Sequence, residues 1–252
     1  MADEISKTKE PLYIIKDSDV GFVCIHEFTG GPYRTNKIAQ ICAKRGYTSR
    51  TICLSGHNSK PQDMPKFCCR DWLRELEEAT KDVKKHCKKV ILVGLSFGGN
   101  LALKVCEKSN MADGIITIET PIKIRRHRTI QFFMPFVFPF KKFVKKRYQD
   151  KKMAEEAAKT VGVYQILPLK NVTNILDFMD KQMKTLNKVK VPVLIIQSSN
   201  GKVIRKYSAN FIYRQISSEK KEILWFDTYK HTTFNAEEID DIMDKATKFF
   251  EI

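Results

Sequence analysis

No apolar run in the 252 residues reaches the roughly 18 needed to span a bilayer. Nothing repeats at a period of about 20–50 residues, which excludes solenoids and propellers. The opening Met-Ala-Asp-Glu-Ile-Ser-Lys-Thr-Lys-Glu lacks the apolar stretch of a secretory signal, so a cytoplasmic location is expected. The seven cysteines contain no C-x-x-C pair and are odd in number, which argues against a zinc site and for reduced thiols over a disulfide framework. No metal or cofactor is expected. Acidic residues are scarce: 29 Asp and Glu face 45 Lys and Arg, a net charge of +16 that brings nucleic acid, anionic membranes and acidic substrates into consideration.

What the chain does have is the composition of a globular protein, 42% apolar and 29% charged, which excludes a disordered or collagenous chain. Short β-branched runs alternate with longer amphipathic stretches, the pattern of a parallel sheet covered by helices. Strands are expected at 12–15, 21–25, 48–54, 89–93, 114–118, 191–197 and 222–226. Helices are expected at about 33–45, 69–85, 97–108, 207–216 and 236–250. From Pro121 to about Lys188 the alternation breaks, and this helical, aromatic, basic segment reads as an insertion over one end of the sheet. The chain therefore divides into 1–120 and 189–252, a core in two parts, and 121–188, a cap between them.

The chemistry-bearing motif is Gly94-Leu95-Ser96-Phe97-Gly98-Gly99, between an apolar strand and an amphipathic helix. A serine on so sharp a turn projects its hydroxyl above the sheet edge, and small residues two positions either side admit neighbouring backbone. The turn also sets Ser96 at a helix N-terminus, where the Phe97 amide faces a developing oxyanion. A second glycine-rich turn, His26-Glu27-Phe28-Thr29-Gly30-Gly31, follows the strand at 21–25.

Together with Lys44-Arg-Gly-Tyr, Leu54-Ser-Gly-His57, Asp71-Trp72 and Ser208-Ala-Asn-Phe-Ile-Tyr213, these motifs resemble the bacterial carboxylesterase and monoacylglycerol lipase branch of the α/β-hydrolases. The resemblance implies a mostly parallel sheet flanked by helices with an inserted helical cap. It also implies a serine hydrolase of short or medium acyl esters or monoacylglycerols, working through an acyl-enzyme on Ser96. The amides of Phe28 and Phe97 match that family's oxyanion donors. Its general base falls on His231, the one histidine beyond the last expected strand, in the chain order such enzymes need. His57 reads as a loop residue, and His86 and His127 as members of basic surface stretches.

Two positions depart from the pattern. The family's acid falls on Gly201, and no carboxylate lies between Asp180 and Glu219. Three residues could take its place: Glu119 at the end of the strand after the nucleophile helix, Asn200, and Asp227; Glu119 ranks first. Glu27 stands where the family has glycine, and a carboxylate about 4 Å from an oxyanion opposes it by about 4 kcal/mol at an effective dielectric of about 20, so its side chain must turn away or pair with a base. These departures leave a second reading open, a weakened hydrolase fold that binds a lipid or partner through its cap.

The cap mixes six phenylalanines between Ile130 and Tyr148 with a lysine cluster. Such aromatics line an acyl pocket, pack the cap onto the core, or wedge into an anionic membrane surface beside the lysines. Nucleic-acid binding is not expected, since no helix-turn-helix, zinc or RNP-type pattern accompanies the charge.

Overall fold

The computed structural model describes residues 8–108, 111–124, 127–137, 140–146, 162–200, 204, 206–226 and 234–252. Its frame is a seven-stranded sheet ordered β1-β3-β2-β4-β5-β8-β9. The strands are β1 (Tyr13–Ile14), β2 (Val20–Ile25), β3 (Thr48–Ile52), β4 (Lys89–Leu95), β5 (Gly114–Ile118), β8 (Val193–Ser198) and β9 (Lys221–Phe226). Only β1 runs antiparallel, against β3. The six parallel strands place their C-terminal ends along one edge, with Ile25 of β2 opposite Gly94 of β4 and Ser198 of β8 opposite Phe226 of β9.

Helices cover both faces because the central strands are apolar on both. In β2, Phe22 and Cys24 face a core shared with α1 (Pro32–Lys44) and α7 (Ala236–Phe250), while Val23 and Ile25 face α2 (Cys69–Lys84) and α3 (Phe97–Val105). In β4, Ile91 and Val93 join the first core, Val90 and Leu92 the second. Strands buried on both sides read as continuous Val/Ile/Leu runs, which is why they stand out in the sequence. Helix α7 opens on a capping box, in which Asn235 accepts from the Glu238 amide at 2.8 Å and Glu238 accepts from the Asn235 amide at 2.8 Å.

Between β5 and β8 the chain forms α4 (His127–Val137), a hairpin of β6 (Phe143–Lys145) with β7 (Ile166–Pro168), and α5 (Leu169–Met183). The hairpin is an addition to the expected helical insertion: a three-residue strand inside a lysine-rich run carries no readable period. Helix α5 is tied to the core by Gln182, whose Nε2 donates to the Asn100 carbonyl at 2.6 Å and whose Oε1 accepts from Asn100 Nδ2 at 2.9 Å. Helix α6 (Lys206–Gln215) precedes β9. His127 is also corrected, since it is buried with Nε2 3.2 Å from Asp180. Among the described residues no helix is long and apolar enough to cross a membrane.

Trp72 of α2 is fully buried beneath the sheet's C-terminal edge, and its indole N–H donates to the Ser55 carbonyl at 2.9 Å. Trp72→Ala is expected to cost about 3–5 kcal/mol of stability through the cavity it leaves. Urea unfolding measures this, and a loss under about 1 kcal/mol would contradict the packing described.

Candidate active site

Ser96 lies between β4 and α3 with φ 49° and ψ −117°, a conformation that L-residues adopt only when their surroundings impose it. Its N–H donates to the Ile118 carbonyl of β5 at 2.8 Å, and its carbonyl accepts from the Gly99 amide at 3.0 Å. Two glycines make the bend sterically feasible. A Cβ at Gly94 would fall 2.4 Å from the Gly99 Cα, and one at Gly98 would fall 2.5 Å from the Ile25 carbonyl oxygen. The second contact seats the first turn of α3 against the end of β2, where the His26–Gly31 turn begins.

That turn is held from several sides. His26 is buried; its Nδ1–H donates to the Glu27 carbonyl at 2.9 Å while Nε2 accepts from the Leu54 amide at 3.1 Å, so one neutral tautomer satisfies both. Burial lowers its pKa below the ordinary histidine value, which favours that neutral form. The Glu27 carbonyl also accepts from the Gly30 amide at 3.1 Å. No described peptide bond is cis, so anchoring the Glu27 carbonyl aims the Phe28 N–H the opposite way. The same logic holds for Phe97, since the Ser96 carbonyl is occupied by Gly99 and the Phe97 N–H, in the first turn of a helix, has no intrahelical partner.

The two amide-bearing residues are neighbours. The rings of Phe28 and Phe97 lie 6.5 Å apart, and both contact Trp72, at 6.3 and 6.0 Å. His57 packs into the same cluster 5.2 Å from Trp72, fully enclosed. His57 lies in a loop, as expected, but a buried one: burial, with His26 beside it, drives its pKa well below the usual histidine range.

Glu27 is buried and ion-paired with Arg34 of α1, so the carboxylate beside the oxyanion turn is matched by a base. Lys146, at the end of β6, donates from Nζ to the Thr29 hydroxyl. Burial lowers its pKa to about 8, an effect that Glu27 opposes and Arg34 reinforces. The base that Glu27 was expected to need is Arg34, seven residues on; no spacing points to Lys146, 117 residues from Thr29.

Glu119 follows β5 with φ 51° and is 2% exposed. Its Oε1 accepts from the Gln197 side chain at 3.0 Å and from the Ser198 backbone N–H. The carboxylate thus spans from β5 to the C-terminal end of β8, opposite Phe226, the last described residue before the segment that carries His231. His231, Asp227 and Gly201 lie outside the described residues. Asn200 is exposed, and its backbone N–H donates to the Ser198 hydroxyl at 3.3 Å. The structure therefore brings Ser96, Phe28, Phe97 and Glu119 to the ends of β4, β2 and β5, three adjacent strands. Cys42 and Cys106 are poor rivals for the serine, because burial lifts both to about 12.

Known proteins resemble this chain over most of its length. Residues 22–238 match a family model described as serine aminopeptidase, S33. A thermostable monoacylglycerol lipase of Bacillus sp. (strain H-257) is 27% identical over 241 residues, covering 96% of this chain and 94% of its own. A carboxylesterase of Bacillus subtilis (strain 168) is 21% identical, covering 95% of each. Among solved structures, one of two metagenome-derived lipolytic enzymes superposes with a TM-score of 0.82 at 24% identity, covering 96% of this chain and 97% of that one.

Gly98→Ala is expected to destabilise the protein by about 1–3 kcal/mol, because the new methyl meets backbone and not a movable side chain. Denaturant titration reads the shift, and an unchanged midpoint would contradict the close approach of α3 to β2.

Proposed function

Since the chain belongs to the serine aminopeptidase S33 family and has the α/β-hydrolase architecture, we propose that it is a serine hydrolase of carboxylic esters with short or medium acyl chains, monoacylglycerols among them. The observation that carries this is Ser96 held at positive φ at the N-terminus of α3, with Phe97 next in the helix and Phe28 on the turn after the adjacent strand β2. In this reading Ser96 Oγ attacks the ester carbonyl carbon while His231 accepts its proton. The oxyanion is bound by the Phe28 and Phe97 N–H groups, each worth about 3–4 kcal/mol in the transition state. His231 then protonates the departing alcohol, and water, deprotonated by the same imidazole, cleaves the acyl-enzyme.

Glu119 serves as the orienting acid in place of the residue missing at 201. Its carboxylate is anchored by Ser198 at the mouth of the segment leading to His231, close to where an acid carried on the loop after β8 would sit. Residues 121–188 act as the cap over the acyl site. The reaction requires no cofactor, and seven free thiols suit a reducing, cytoplasmic setting.

A specific observation favours a further contact, with an anionic membrane surface. On and just after α4, Phe132, Phe136 and Phe140 are 68, 67 and 91% exposed, with Lys141 and Lys142 exposed beside them. Rings of this size insert at the headgroup level, while each nearby lysine contributes about 1 kcal/mol on an anionic bilayer. This arrangement suits a bilayer better than nucleic acid, for which no groove-reading element accompanies the charge.

Purified protein is expected to turn over p-nitrophenyl butyrate, and Ser96→Ala to abolish this. Glu119→Gln should lower kcat by up to about 10⁴ with the fold intact, as for an acid that fixes the tautomer of the base. An unchanged rate and pH profile in Glu119→Gln would transfer the role to Asn200 or Asp227; a folded parent without turnover that still binds lipid would favour the binding-protein reading. Cosedimentation with vesicles containing anionic phospholipid should exceed that with neutral vesicles, weaken with salt, and fall in Phe136→Ser/Phe140→Ser; equal binding to both would contradict the membrane contact.

A further inference from the structure

The oxyanion turn is gripped by the cap. Tyr164, just before β7, donates its backbone N–H to the Thr29 carbonyl at 2.9 Å, and its hydroxyl fastens to the Gly56 carbonyl at 3.0 Å and to the Ser59 amide at 2.9 Å. Across the hairpin, the Lys146 amide donates to the Gln165 carbonyl at 2.9 Å, which fixes the root of the Lys146 side chain next to the same turn. Lys146 Nζ donates to the Thr29 hydroxyl, and that hydroxyl donates onward to the Phe28 carbonyl at 2.6 Å. Thr29 is fully buried at φ 63°, so it holds this conformation only while its partners keep it there. Phe28 is thus fixed on both sides, through the Glu27 carbonyl by His26 and Gly30, and through its own carbonyl by Thr29 and Lys146.

Charge adds a second constraint. The groups facing the Lys146 ammonium are Glu27 from the turn, Arg34 from α1 and His57 from the loop after β3. Burial keeps His57 neutral, so among these groups the positive charges that bear on Glu27 are those of Arg34 and Lys146. Losing the proton of Lys146 would remove a positive charge that acts on Glu27, beside the position where negative charge is proposed to develop.

We propose that Lys146 is a positioning residue for ester hydrolysis: from the cap hairpin it holds Thr29 and offsets Glu27, so that docking of the cap completes the oxyanion hole at Phe28. This rests on the serine-hydrolase reading above. Lys146 is not itself in contact with the reacting atoms in this account; it acts through Thr29 and Glu27.

The test is the pH dependence of kcat for p-nitrophenyl butyrate in the parent, Lys146→Arg and Lys146→Met, with melting temperature measured in parallel. In the parent, kcat should fall above pH about 8, as Lys146 loses its proton. The sign for stability is opposite. A lysine whose folded pKa lies below its unfolded one costs stability while protonated, so its titration from about 8 upward raises its contribution to folding. A declining rate without a matching decline in melting temperature separates a positioning role from a structural one. Lys146→Arg, which keeps its charge, should restore most of the rate and carry it to higher pH. Lys146→Met should lower kcat about tenfold to a hundredfold, less than the effect of deleting an oxyanion donor outright, with KM little changed and no limb near pH 8.

If Lys146→Met keeps the parent's kcat and the parent's high-pH limb, the inference fails while the hydrolase reading stands. If Lys146→Met does not fold, coincident limbs in the parent and Lys146→Arg overturn it equally well. A parent that neither turns over the ester nor reacts at Ser96 overturns both.

Discussion

The structure depends on one bend, the reversal at Ser96 where β4 gives way to α3. Holding a non-glycine residue at positive φ costs of order 1–3 kcal/mol, so it persists only where neighbours over-determine it. Here they do: the Ile118 carbonyl takes the Ser96 N–H, and the absence of side chains at Gly94 and Gly98 lets α3 press against β4 and the end of β2. Of the five non-glycine residues described at positive φ, three follow adjacent strands on this edge: Thr29 after β2, Ser96 after β4 and Glu119 after β5. Local strain is concentrated where the chemistry is proposed, and the two buried cores beneath that edge supply the rigidity that sustains it.

Glu119, the proposed acid, would supply its carboxylate from a different strand. The backbone turn after β5 sends its side chain sideways to the end of β8, where the Ser198 amide and the Gln197 side chain bind one oxygen. What an orienting acid must do is place a negative oxygen beside an imidazole; which strand delivers it is secondary. The carboxylate is also pre-organised by these donors, so no side-chain ordering is left for the moment of reaction. Glu27 is the counterpart problem, a charge near the oxyanion turn that Arg34 pairs and Lys146 further offsets.

Much of this was legible in the residues. Strands such as 89–93 and 114–118 announce themselves because burial on both faces demands unbroken apolar runs, and the bend at Ser96 because few sequences but Gly-x-Ser-x-Gly can make it. The helix expected at about 236–250 is found at Ala236–Phe250. Less legible was whatever depends on distant partners. The β6–β7 hairpin is too short for a period, the burial of His57 arises from Trp72 and Phe28 packing over it, and Lys146 reaches Thr29 only after the chain has closed on itself. Spacing reports what a segment does alone, and these features are set by tertiary closure.

The proposed reaction begins with the Ser96 hydroxyl as nucleophile. Incubation with a fluorophosphonate probe followed by peptide mass spectrometry tests it most directly. One adduct per chain is expected, located on Ser96, with labelling that fades in acid as the histidine base takes up a proton. A folded protein that leaves Ser96 unmodified, or is labelled on another residue, would contradict it.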